Sequence, residues 1–202
     1  MLGAITVGYR RALQFVIEVS DSLEAGQMNS WITRTGLAAA MALATTGAFA
    51  QAQSTNRVGA NTDWSVFVDS NPKECWSVSS PKETVNAPGE HDVAVKRGDI
   101  LLFVFNRPAS GGTGVETFTG GYPFASGSTV NMNISGAQFE LFTDGEWAWP
   151  ATPADDAKII TAMKRGSSAI LSARSGRGTQ TKDTFSLLGF TASVEESEKR
   201  CK

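Results

Sequence analysis

The chain has 202 residues, 18 basic against 20 acidic side chains, and a formal net charge of −2. That balance excludes the basic stripe on which nucleic-acid binding rests. One histidine and two cysteines are too few for a standard structural zinc centre, so neither a metal nor a cofactor is expected.

In chain order, the first strong signal begins inside the chain, at Met28. Arg34 supplies a positive n-region, Leu37 to Ala44 an apolar run, and Ala48-Phe49-Ala50 a small-residue cleavage site. The reading is a secretory signal peptide over 28–50, with a second candidate cut after Ala52. An uncleaved membrane helix is the weaker reading. A span wants about 20 clearly apolar residues, and Thr45, Thr46 and Gly47 dilute this one. Residues 1–27 are read as a mis-assigned upstream extension, the alternative being a long n-region. Residues 51–62 are small and polar and are expected to be a flexible leader. Cleavage near Ala50 leaves no apolar segment long enough to span a membrane, so a periplasmic or secreted protein is expected.

From residue 63 to 202 the pattern predicts one domain, mostly of short strands. Trp64–Val68 and Cys75–Ser80 are rich in aromatic and β-branched residues on either side of a turn carrying Asn71-Pro72. Strands are also predicted at 92–95, 100–105, 115–120, 128–134, 137–142, 168–174 and 181–188. Ile100–Phe105 is the least polar and is expected at the centre of a sheet. The spacing predicts an all-β fold, an antiparallel β-sandwich, rather than βαβ units. Two short helices interrupt it. The first has Thr152 as N-cap, Pro153 at its first position and Gly166 at its end. For the second, Ser193 and Glu196 read as a capping box, with Glu195–Lys199 and Glu196–Arg200 as supporting pairs.

Catalytic signals are absent. His91 is a lone loop histidine, no G-x-S-x-G occurs, and the Gly-rich stretch 110–114 lacks a following Gly-Lys-Ser/Thr. Arg97-Gly98-Asp99 matches a short adhesion tripeptide but also suits a turn before a buried strand, and the turn is preferred. Trp147 and Trp149 alternate, so on a strand they share one face. They are the candidate ligand-binding residues, as a platform for sugar stacking. Packing beneath the following helix is the commoner use of such a pair and the expected one, with stability the first thing to suffer on their loss. The last expectation is a Cys75–Cys201 disulfide. An exported chain meets oxidising conditions, and these are its two cysteines. A catalytic thiol and an intermolecular bridge are the competing readings.

Several stretches then resemble one family: "DWSVFVDSNPKECWSVSSP" (63–81), "RGDILLFVF" (97–105), "FTGGYPF" (118–124), "FELFTDGEWAWPATPADDAKII" (139–160), "AMKRG" (162–166) and "RGTQTKDTFSLLGFTAS" (177–193). They are similar to the invasion associated locus B family of exported alphaproteobacterial proteins. The resemblance implies a periplasmic or cell-envelope protein with a β-sandwich-like domain and no catalytic residues. The family is named for host-cell invasion by a pathogenic member, and relatives occur in free-living bacteria. Two functions follow. One is a non-enzymatic envelope protein that binds an envelope or host-surface component, linked to host-cell association or invasion. The other is a periplasmic glycan-binding module using Trp147 and Trp149. Nothing in the sequence names the partner or sets an oligomeric state.

Overall fold

A computed structural model describes residues 56–87 and 95–202. The expected start at Met28, the signal peptide, the cleavage site, residues 51–55 of the leader and His91 lie outside the described residues, as does most of the strand expected at 92–95.

Among the described residues, eleven strands form one antiparallel sheet in the order β1-β2-β3-β5-β6-β9-β8-β7-β10-β11-β4. They are β1 (Arg57–Asn61), β2 (Trp64–Ser70), β3 (Lys73–Ser79), β4 (Glu83–Asn86), β5 (Leu101–Arg107), β6 (Gly112–Thr119), β7 (Thr129–Ile134), β8 (Ala137–Asp144), β9 (Trp147–Trp149), β10 (Ser168–Arg174) and β11 (Gln180–Ser186). Two helices follow β9 and β11: α1 (Pro153–Arg165) and α2 (Phe190–Arg200). The described residues form the predicted antiparallel β class with two short helices, and β5 lies well inside the sheet. One boundary is corrected. Residues 57–61, read as leader, pair with β2 as an edge strand because Gly59, Ala60 and Asn61 align with Val66, Ser65 and Trp64.

The sheet cannot be flat. β3 and β4 stand eight places apart in it, about 38 Å at ~4.8 Å per strand. Yet only Ser80, Pro81 and Lys82 join them, and the four steps from Ser79 to Glu83 reach about 14 Å at most. The rings of Phe118 on β6 and Phe185 on β11 are five strands apart, but their centroids are 6.1 Å apart. The sheet therefore curls until its two halves face each other, and the layers of the expected sandwich are halves of one continuous sheet. Trp64 Nε1 donates to the Ser186 carbonyl at 2.9 Å across that gap.

The enclosed core follows from period-two alternation. Trp64 and Val66, Leu102 and Val104, Phe118, Val130 and Met132, Leu141, Leu171 and Phe185 all point into one cluster. Helix α2 adds Phe190 and Val194, with Phe190 edge-on to Trp64 at 4.9 Å. Helix α1 adds Ile159 and Met163.

Helix α1 starts as read: the Thr152 hydroxyl accepts from the Asp155 amide at 3.2 Å, Pro153 opens the helix, and Lys164 and Arg165 close it. Helix α2 does not. It begins at Phe190, three residues before the predicted cap, and Gly189 at φ 88° is its N-cap. A Cβ on Gly189 would lie 2.0 Å from the Asn61 carbonyl oxygen, so the turn needs glycine for both space and backbone angle. Ser193 is buried inside the helix and accepts from Asn61 Nδ2 at 3.1 Å. Of the two predicted pairs, Glu196–Arg200 forms at 2.7 Å, whereas Glu195 faces Lys164 at 3.9 Å.

Candidate functional site

Trp147 and Trp149 do share a face, and it is the outer one. Ala148 between them is fully buried in the core, while both indoles are half-buried. The expectation that they pack beneath α1 is corrected: strand alternation spends the inward position on the smallest residue of the three. Trp147 lies opposite Thr119 of β6 on one side and Asp144 of β8 on the other; Trp149 lies opposite Phe142.

The same outward face carries aromatic residues that the sequence reading did not connect. Phe67 on β2 stacks on Trp76 of β3, with centroids 5.5 Å apart and planes 4° from parallel. Trp76 meets Phe105 of β5 at 6.2 Å, Phe105 meets Phe103 at 5.2 Å, and Phe103 meets Trp147 at 6.0 Å. Five rings from four strands thus form a continuous row that spans five strands, β6 lying beneath the step from Phe103 to Trp147. Arg107 lies over Phe105 at 4.2 Å and pairs with Glu74 at 3.2 Å, closing one margin. Phe142, beyond β9 on β8, is 49% exposed. The signal was present: Phe103 and Phe105 alternate with Leu102 and Val104 in "ILLFVF". Read as a uniformly buried strand, it concealed that only one of its two faces is core.

At one end of the sheet four loops are tied together. Arg97 is the tie. Its two terminal nitrogens reach both carboxylate oxygens of Asp183 on β11 at 2.8 and 2.6 Å, and its Nε donates to the Gly120 carbonyl at 2.8 Å. The Arg97 side chain is 6% exposed and Asp183 is fully buried. A bidentate geometry with further hydrogen bonding is what lets such a pair be buried. This settles the Arg97-Gly98-Asp99 tripeptide: its arginine is spent inside the fold. Gly98 donates to the Gly121 carbonyl at 2.9 Å, and Gly121, at φ 70°, has no room for a Cβ against Gly98. The Tyr122 ring lies between Arg97, 4.9 Å from its centroid, and Phe124, and its hydroxyl bonds Thr181. Burial pushes the Tyr122 hydroxyl above its ordinary pKa.

A third feature is internal. Glu116 on β6 is fully buried, and neither carboxylate oxygen has a hydrogen-bond partner among the described residues. Desolvation first, then the neighbouring Asp156, hold its pKa well above the ordinary carboxyl range. Asp156 on α1 accepts from the Glu116 amide at 2.8 Å. So Asp156, in the first turn of α1, satisfies a backbone amide of β6.

Cys75 on β3 and Cys201, just past α2, are joined, with Cα atoms 5.8 Å apart. Both are buried, and neither is a free thiol. Among the described residues no group of three or more His, Cys, Asp or Glu is placed to hold a metal, and no helix is long and apolar enough to cross a membrane.

Residues 101–198 match the family model described as "Invasion associated locus B (IalB) protein". That span runs from β5 into α2, and the resemblance read from the sequence holds over it. A crystal structure of invasion associated protein B from Bartonella henselae is similar at 14% identity and a TM-score of 0.48, over 70% of this chain and 95% of that one. No curated protein is matched by this chain.

Proposed function

We propose, taking the match of residues 101–198 to the invasion associated locus B family as premise, that the chain is an exported, non-enzymatic cell-envelope protein that binds a protein partner through its outward aromatic face. Export follows the signal over 28–50 with cleavage near Ala50. The Cys75–Cys201 bond supports it, because such bonds persist in oxidising compartments. The observation that carries the binding reading is the unbroken row Phe67–Trp76–Phe105–Phe103–Trp147 on the side of the sheet away from the core. A sheet needs one apolar face to fold. This second face is only partly covered, with Phe105 buried and the other four rings half-buried, and its aromatic composition is that of an interaction surface. The family name ties the partner to host-cell association or invasion. Crosslinking in intact cells, followed by identification of the captured protein, tests this. A Trp76→Ser/Phe103→Ser variant that stays folded should lose the crosslink. Capture undiminished by that variant would refute the surface.

A second reading is favoured by Trp147 and Trp149 alone. Their indoles share the outer face, as a sugar platform requires. Phe67 and Trp76, by contrast, spend their ring faces on each other, which suits a protein partner better than a glycan chain. Quenching of tryptophan fluorescence by cell-wall oligosaccharides, abolished in Trp147→Ala, would support the glycan module. An unchanged spectrum would remove it.

A further inference from the structure

The loops tied by Arg97 enclose a cavity of about 540 Å³, within the range of small-molecule sites. We propose that this cleft binds a small organic anion that also carries hydroxyl donors, a polyhydroxylated carboxylate, and that it does so independently of the aromatic face. Three observations carry the assignment.

First, the cleft is preformed. The loops around it are cross-tied by main-chain bonds: Gly98 to Gly121 at 2.9 Å, Gly176 to Pro123 at 2.8 Å and Phe124 to Gly145 at 2.8 Å. Arg97 adds its own bond to Gly120, and Tyr122 is held between Arg97 and Phe124. Ties of this kind hold ligand-binding groups in place without an ordering cost at binding.

Second, the charge is unbalanced in one direction. The buried cation, Arg97, is neutralised by Asp183, so it shapes the floor without charging it. Lys96 and Arg177 also line the cleft, and neither forms an ion pair among the described residues. Against them, among the described residues of the lining, stands one carboxylate, Glu146. The lining therefore carries a surplus positive charge in a chain whose net charge is −2.

Third, the remaining lining suits a hydroxylated molecule. Tyr122 presents its ring, its hydroxyl being bonded to the buried Thr181, while Thr179 adds a hydroxyl and Glu146 an acceptor for hydroxyl donors. A bare inorganic anion would leave the ring and Glu146 unused, and Glu146 would repel it.

The test is a titration of the isotope-labelled exported chain with glucuronate, glucose and acetate, followed by amide chemical shifts. Glucuronate should give saturable shifts centred on residues 95–97, 121–123 and 175–179. Glucose, without the charge, and acetate, without the hydroxyls, should bind at least about tenfold more weakly. Lys96→Ala/Arg177→Ala removes two exposed side chains, so the fold and melting temperature should persist while glucuronate affinity falls by at least about tenfold. Glu146→Ala should narrow the gap between glucuronate and acetate. The proposal is overturned if glucuronate gives no saturable shift in this region, if the double variant binds it as the wild type does, or if glucose or acetate binds equally well.

Discussion

Replacing both Cys75 and Cys201 by alanine isolates what the covalent link contributes, because it removes the bond without adding a buried hydroxyl. The two cysteines are 126 residues apart in sequence, so the bond closes nearly the whole folded domain into one loop. For a loop of that length the chain-entropy relation gives about 4.9 kcal/mol of denatured-state destabilisation. In a domain of this size each kcal/mol moves the melting temperature by about 2–4 °C, so the variant should melt about 10–20 °C lower. Urea unfolding at fixed pH is the assay, run on wild type and variant. A second signature separates the mechanism from simple loss of packing. Freed of the cross-link, the denatured chain expands, so the urea m-value of the variant should rise as its midpoint falls. Helix α2 should stay docked in the folded variant, since Phe190 and Val194 remain in the core. A variant within about 1 kcal/mol of wild type, or one destabilised with no change in m, would refute the denatured-state account.

Three further outcomes are expected. Glu116→Gln should stabilise the protein toward alkaline pH. A raised carboxyl pKa costs nothing below the ordinary 4.5, and the cost grows as pH rises from there through the folded-state value, so melting curves against pH should flatten on the alkaline side in the variant. Asp183→Asn should leave Arg97 buried without its counter-charge and cost about 3–5 kcal/mol, read by denaturant midpoint. Trp147→Ala should cost clearly less than Phe118→Ala in the same assay. The latter removes a fully buried ring worth about 3–5 kcal/mol, whereas Trp147 is only partly buried.

Much of this was legible before any coordinates. Aromatic and β-branched runs at 64–68, 75–80, 128–134 and 168–174 marked strands that form there, and Thr152, Pro153 and Gly166 bounded α1 because caps are local chemistry. The Cys75–Cys201 pairing needed only a compartment and a count. What escaped was what depends on pairing partners. β1 and β4 are short, polar edge strands, and a strand such as Glu83–Asn86 has no apolar signal because it leans on β11. Ser193 looked like a cap because a serine three before a glutamate is a cap only if the chain turns there. The turn came earlier, at Gly189, where contact with Asn61 demanded glycine. The aromatic row was invisible for the same reason. Phe67, Trp76, Phe105, Phe103 and Trp147 become neighbours only through the registers of β2 with β3, β3 with β5, and the approach of β9.

The three-residue link from β3 to β4 has a kinetic meaning. β4 is made early in the chain but has β11, about a hundred residues later, as its sole strand partner among the described residues. A chain that emerges from its N-terminus must therefore hold β4 unpaired until almost all of the domain has followed, and the strand can close the curled sheet only when residues 181–184 arrive. Cys75 waits for Cys201 over the same interval. Non-local closure of this kind makes folding slow and leaves sticky strands exposed meanwhile. The vulnerable period ends only when Cys201 has joined the fold.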